Sequence, residues 1–222
     1  MELEKKIEIQ CPACGHKGEF SVYENINTKI YPDLKEKIKS GQLFIYKCPS
    51  CGTESIIDYG LIYQDPDEKI LIQYYMSEKE KEGALDLFSK ESLDHHDQAE
   101  EIIKILDSYR KRLVDNLESL REKIQIFDRG LDDRAVELVK IISTKIFIDE
   151  NPNANLQAVY FVDDQGKDLI VFEADNDNYA INMDATMYRL MEEGLEKLDL
   201  EETFIVDEKW ALEVFDKLVQ LG

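Results

Sequence analysis

The chain has 222 residues, 43% of them hydrophobic, with 27 basic and 48 acidic side chains and a net charge of −21. That length suits one large domain or two small ones with ordinary cores, and no apolar run approaches the ~20 residues needed to cross a bilayer. The charge is uneven: residues 149–222 hold 5 Lys or Arg against 19 Asp or Glu, a net −14, which repels phosphate backbones and anionic lipid and suits solubility or a basic protein partner.

The N-terminus, MELEKKIEIQ, is charged and alternating and lacks the apolar stretch of a secretory signal. A cytoplasmic, reducing location away from membranes is therefore expected. Ile7 and Ile9 alternate with charged neighbours into Cys11, and Phe20 and Val22 alternate on the way out, so a strand is expected on each side. YPDLKEKIKSG predicts a short helix over 32–40, with Pro32 in the first turn, Leu34 and Ile38 on one face, and Gly41 just past the end. LFIYK runs as a strand into Cys48, and two apolar runs around Asp65-Pro66-Asp67-Glu68 predict a hairpin.

At Met76 the character changes. SEKEKEGALDLFSKESLDHHD reads as a polar linker with a helical turn. Ala99, Ile102, Ile103, Leu106, Tyr109, Leu113, Leu117, Leu120, Ile124 and Phe127 recur at spacings of three and four, predicting one helix of about 30 residues. Gly130 ends it. Asp132 and Asp133 open a second helix with Ala135, Val136, Leu138, Val139, Ile142 and Ile146 inward, so a long αα-hairpin is expected. In the last third, QAVYFVDDQGKDLIVFEAD predicts a hairpin, with YAIN as a third strand. Asp184 is placed to cap a helix carrying Met187, Leu190, Met191 and Leu195, Asp207 precedes another with Trp210, Val214, Leu218 and Leu221 inward, and Phe204, Ile205 and Val206 read as a strand.

All four cysteines lie in two copies of Cys-Pro-x-Cys-Gly: Cys11-Pro12-Ala13-Cys14-Gly15 and Cys48-Pro49-Ser50-Cys51-Gly52. Two thiolates in Cys-x-x-Cys reach one ion because the chain folds back between them. The following glycine permits the positive φ that turns amide N–H groups toward sulfur, and the proline presets the turn. Four free core cysteines would not explain Pro and Gly at matching offsets, and two disulfides fit poorly with a reducing compartment. One metal ion held by Cys11, Cys14, Cys48 and Cys51 is expected. Tetrahedral sulfur suits zinc and iron alike. Zinc is favoured, and a rubredoxin-like iron electron-transfer site is the alternative. A zinc ion closed by four sulfurs cannot activate water; it holds the strands around it together.

CPACG, INTKIYPDLKEKIKSGQLFIYKCPSCG, DYGLIYQDPDEKI and LREKIQIFDRGLDDRAVELVK together resemble the bacterial CpXC family, named for its paired Cys-Pro-x-Cys motifs. The resemblance is closest over 1–77. It implies that Cys11, Cys14, Cys48 and Cys51 are the metal-binding positions, and it implies no activity.

Other clusters read as structural. Asp94-His95-His96-Asp97 suits a polar helix start, with a weak second metal site as its alternative. His16 is placed on the surface or beside the cluster rather than as a ligand. Gly130 to Arg134 (GLDDR) suits a helix end and a cap, with a ligand site as the sharper reading. The paired acids at 163–164 and 201–202 read as a solvated turn and a helix end. Seven tyrosines fall within 1–77. Stacked on nucleic acid they would need a basic groove, which Lys29, Lys35, Lys37 and Lys39 supply only locally, so packing is the better reading.

The expected fold is α+β. A four-cysteine zinc ribbon with an inserted helix (1–77) leads through a helical hairpin (78–150) to an acidic α+β module (151–222). The expected function is that of a non-enzymatic protein-interaction or regulatory module with an unidentified, basic protein partner, and with the stripe of the long helix used for self-association or, alternatively, packed on the two flanking modules. Nucleic-acid binding through the ribbon is a further alternative.

Overall fold

The structure is a computed structural model that describes residues 4–89 and 104–221. It is mixed α and β, and its contacts group the chain into two compact units, Met1–Arg121 and Glu122–Gly222, where modules bounded at 77 and 150 were expected.

In the first unit, β1 (Lys5–Gln10) and β2 (Lys17–Val22) pair antiparallel, with Ile7 opposite Phe20 and Ile9 opposite Gly18. β3 (Asn25–Asn27) leads to α1 (Pro32–Lys39), which has Pro32 in its first turn and buries Leu34 and Ile38. Gly41 follows at φ 76°, a left-handed conformation that glycine adopts without steric cost. A 3₁₀ turn over Gln42–Phe44 delivers the chain to β4 (Ile45–Lys47), which pairs with β5 (Glu54–Ile56). β6 (Leu61–Asp65) and β7 (Ile70–Tyr74) form the expected hairpin. At its turn Asp65 Oδ1 accepts from the N–H groups of Asp67 and Glu68, at 3.2 and 3.3 Å. Ile26, Phe44, Tyr63 and Ile72 are fully enclosed and form the centre of the unit's core.

Two expectations fail here. The segment after Met76 is not a linker: α2 (Glu78–Ser89) is a three-turn helix that buries Ala84 and Phe88. The 30-residue helix is also absent, because residues 110–114 form β8 (Arg110–Val114), parallel to β7 from Ile70↔Arg110 to Tyr74↔Val114. The sheet order is β3-β6-β7-β8. Lys111, Arg112, Leu113 and Val114 are all buried in this strand, so both of its faces are covered. Pairing and two-sided burial outweigh an apolar spacing of three and four, which fits a helix equally well over so short a run. The stripe proposed for self-association is thus interrupted. Helix α3 (Leu117–Asp128) begins only after Asn116, whose side chain accepts from Ser119 N at 2.7 Å as a cap. Residues 94–97, with their two histidines, lie outside the described residues, as do 99–103.

The division between units falls within α3. In the second unit, Gly130 (φ 69°) ends that helix, and Asp132 caps α4 (Asp133–Glu150) by accepting from Arg134 N. Ala135, Val136, Leu138 and Val139 are enclosed as expected, but Ile146 is exposed and Phe147 is buried instead. Phe147 stacks on Phe172 with centroids 4.4 Å apart. β9 (Leu156–Asp164), β10 (Lys167–Ala174) and β11 (Asp177–Asn182) form a meander in the order β11-β10-β9. Asp184 caps α5 (Ala185–Leu195), and Asp207 caps α6 (Glu208–Leu221) through Trp210 N at 2.8 Å. Phe204 and Val206 are buried, but residues 204–206 form no strand.

Helices α3 and α4 are joined by a buried ionic network. Lys123 Nζ lies 3.0 Å from Glu137 and 3.2 Å from Asp133; Lys140 Nζ lies 2.9 Å from Glu122 and 3.0 Å from Glu137. Glu122 also accepts from Phe161 N at 2.6 Å, tying the helices to β9. Burial opposes ionisation of Glu137, but the two ammonium groups outweigh it and hold its pKa below the usual range. Burial and the neighbouring Glu137 push Glu122 up, despite Lys140. A cavity of about 180 Å³ reaches this network, lined by Glu137 and Lys140 with Thr144, Gln157 and Glu208.

Replacing Glu137 with Leu leaves two buried lysines short of a partner. It should cost about 3–5 kcal/mol, read as a lower midpoint in urea unfolding. A pH effect follows from Asp65. Burial opposes its charge, but Lys35, 3.0 Å away, and the N–H groups of Glu68 and Asp67 outweigh this and lower its pKa. Its contribution is complete above the ordinary carboxylate pKa and is lost as pH falls through the lowered value. Asp65→Asn should therefore flatten the acid limb of the stability–pH curve.

Candidate metal centre

Each Cys-Pro-x-Cys-Gly stretch is the tip of an antiparallel hairpin, the first between β1 and β2 and the second between β4 and β5. The two tips repeat one hydrogen-bond pattern. Cys11 N donates to His16 O and Gly15 N to Cys11 O; Cys48 N donates to Thr53 O and Gly52 N to Cys48 O, all at 2.8–2.9 Å. Gly15 and Gly52 have φ of 73° and 74°. Among the described residues a Cβ at Gly52 would meet nothing within 4 Å, so it is the backbone conformation that calls for glycine there.

The tips face each other. Cys11 Sγ lies 3.7 Å from Cys51 Sγ and Cys14 Sγ lies 3.6 Å from Cys48 Sγ, and all four sulfurs lie within 4.8 Å of one another. These are not disulfides, whose sulfurs are ~2 Å apart. A tetrahedron with metal–sulfur distances of ~2.3 Å has edges of roughly 3.8 Å, close to both cross-tip pairs. Cys11 and Cys48 are buried, while Cys14 and Cys51 face solvent.

The thiols do not ionise alike. The Thr53 hydroxyl, 3.2 Å from Cys51 Sγ, and the Thr53 N–H lower the Cys51 pKa to about 6. Burial resists ionisation of Cys48, but the N–H groups of Cys51 and Ser50 outweigh it and lower its pKa. At Cys14 the His16 N–H favours the thiolate, yet the neighbouring sulfurs and burial prevail and raise the value to about 11. Crowded thiols cannot all give up their protons unaided, and a cation among them removes the conflict.

Behind the sulfurs, Tyr46 is buried in one cluster with Cys11 and Cys48, packed by Ile9, Phe20 and Ile57. Phe20 meets the Tyr46 ring edge-on at 6.4 Å. Burial and the nearby cysteines push the Tyr46 pKa up, which keeps the O–H protonated. A Cβ on Gly18 would fall 2.2 Å from Tyr46 Oη, so Gly18 is glycine because the phenol occupies that space. Tyr46, Thr53 and Gly18 escaped the sequence reading. The signal available for the first two was a hydroxyl residue two positions outside each end of Cys48–Cys51.

Other sequence candidates are placed elsewhere. His16 is exposed and takes part through its backbone. Asp132 is occupied as a cap and in a 2.6 Å pair with Arg134, Asp133 faces Lys123, and Arg129 pairs with Asp168 at 2.7 Å. Asp163 accepts from Gly166 N in the β9–β10 turn. The tyrosines of the first unit are largely packed: Tyr63 and Tyr74 are enclosed, and Tyr23 meets Tyr31 edge-on at 5.7 Å.

Fold and site together define a mixed α+β protein whose four cysteines are clustered at a spacing able to hold a metal ion. The chain belongs to the CpXC family: the family model, described as CpXC protein, matches residues 9–140, more than half of the chain and all four cysteines. No curated protein and no solved structure matches it. Gly18→Ala should destabilise the first unit by roughly 1–3 kcal/mol through overpacking against Tyr46, seen as a lower melting temperature.

Proposed function

We propose that Cys11, Cys14, Cys48 and Cys51 bind one zinc ion as a closed structural site, and that the protein is a non-enzymatic, cytoplasmic interaction or regulatory module. The observation that carries this reading is the convergence of four sulfurs within 4.8 Å of one another. With all four positions taken by protein there is no open site for water or substrate, so the ion's role is to join two hairpin tips. The surrounding strands are short, three residues each in β4 and β5, and too small to hold without a staple. Metal binding worth ~10–16 kcal/mol in small zinc modules is sufficient for this.

The partner is a protein with a basic surface, recognised by the acidic residues of 149–222. Pairing of Lys29 with Asp67, Lys35 with Asp65 and Lys39 with Glu36 weighs against a basic nucleic-acid groove on the first unit. Among the described residues, no helix is long and apolar enough to cross a membrane.

Elemental analysis of protein purified without added metal tests the assignment. One zinc per chain and a colourless solution are expected, with loss of stoichiometric zinc in Cys11→Ser or Cys48→Ser and a lower melting temperature after chelation. Visible absorbance with stoichiometric iron replaces zinc by a redox site, and a metal-free chain that melts unchanged in chelator overturns the reading.

A further inference from the structure

We infer that Tyr46 is a positioning residue of the metal centre, whose phenol O–H donates a hydrogen bond to the metal-bound sulfur of Cys48. The inference rests on the four-cysteine reading and adds a group outside the ligand set. Its starting point is an orphaned atom. Tyr46 Oη is fully buried and, among the described residues, meets no hydrogen-bond partner at ordinary geometry. A buried hydroxyl left unpaired costs about 1–3 kcal/mol, and native proteins seldom leave one without a reason.

The position of the ring supplies the reason. Tyr46 is 6% exposed and shares one buried cluster with Cys11 (2%) and Cys48 (1%), the two inward cysteines. Gly18 leaves a gap where any side chain would collide with the phenol oxygen. The strand opposite is thus hollowed to seat a hydroxyl, although phenylalanine would fill the ring's place without a polar atom to satisfy. A neutral thiol is a weak acceptor, whereas a thiolate on a metal keeps lone pairs and negative charge and is a strong one. Among the described residues no sulfur meets Tyr46 Oη at bonding distance and angle, so the bond forms as the inner sulfur, drawn onto a metal and charged, closes on the hydroxyl.

The arrangement has a visible counterpart. Cys51, the outward sulfur of the same tip, already has the Thr53 hydroxyl at 3.2 Å. Tyr46 and Thr53 stand two residues before Cys48 and two residues after Cys51. Each sulfur of the second tip thereby has one hydroxyl, the inner from a phenol and the outer from a threonine. The Cys51 thiol donates to Thr53 Oγ1, and once the sulfur is a thiolate the direction reverses; hydroxyls that donate to a metal-bound thiolate fix its orientation and withdraw electron density from it, which slows its protonation and release from the metal.

The test uses the full chain loaded with Co²⁺, whose sulfur-to-cobalt charge-transfer bands report the electron density on the thiolates. The expected Tyr46→Phe protein binds one cobalt per chain, moves those bands to longer wavelength, and loses metal to a chelator roughly tenfold faster or more. Phe20→Leu loosens the packing around the ring and leaves the hydroxyl in place. It is expected to keep the wild-type band positions whatever it does to the release rate. Wild-type bands and release in a cobalt-loaded Tyr46→Phe protein overturn the hydrogen bond and leave the four-cysteine site standing. Equal band shifts in Tyr46→Phe and Phe20→Leu reduce Tyr46 to a packing residue. A wild-type chain that takes up no cobalt overturns the metal reading itself, and with it this inference.

Discussion

Four sulfurs brought within 4.8 Å of one another are the constraint around which the first unit is arranged. The two hairpins that carry them are separated in sequence by a helix, a 3₁₀ turn and a short strand, and neither hairpin is large enough to persist alone. Their tips meet because each presents one sulfur inward and one outward, and because the cross-tip pairs interleave: Cys11 with Cys51 and Cys14 with Cys48. Thiols packed this closely push one another's ionisation in opposite directions. The arrangement becomes self-consistent once a cation shares the charge, and that makes the tips, the glycines at φ near 73° and the hollow at Gly18 parts of one design.

Much of this was legible in the sequence. The duplicated Cys-Pro-x-Cys-Gly pattern located both tips because each residue in it answers a separate local need: a sulfur donor, a fixed φ or a left-handed turn. Caps at Asp132 and Asp184 were equally readable, since a side-chain oxygen bonding the first helical N–H groups is a local interaction. The four-cysteine geometry itself is where the reading was most complete. What escaped it was non-local. Residues 110–114 carry an apolar spacing that a helix and a doubly buried strand share, and only β7 alongside decides between them. Tyr46 looked like any strand aromatic, and its relation to the sulfurs appears only once both hairpins are folded.

The ionic network of the second unit was invisible for a different reason. Glu122, Lys123, Glu137 and Lys140 read as the polar faces of two amphipathic helices, which sequence patterning assigns to solvent. In the fold the charged residues of α3 and α4 face one another and are enclosed, with side-chain exposures of 2–12%. Against burial, the two ammonium groups favour the charged form of Glu137, whose pKa is lowered, and the carboxylates raise that of Lys123, while burial and Glu137 push Glu122 up. A buried network of this kind adds little net stability over apolar packing. A slip of either helix would strand a buried charge, which is costly.

The meander of the second unit leaves β11 at its rim, with every residue from Asp177 to Asn182 exposed. Among the described residues no strand pairs with its outer edge; such a rim of backbone amides and carbonyls is a template on which a stray β-segment can grow, and Tyr179 and Ile181 make this one adhesive. The surplus of carboxylates across 149–222 works against such growth, because a second molecule approaching along that rim brings the same negative field with it. Concentrated acidity here therefore acts as a colloidal safeguard for an unfinished sheet, and raising ionic strength, which screens that field, weakens the safeguard first where the backbone is barest.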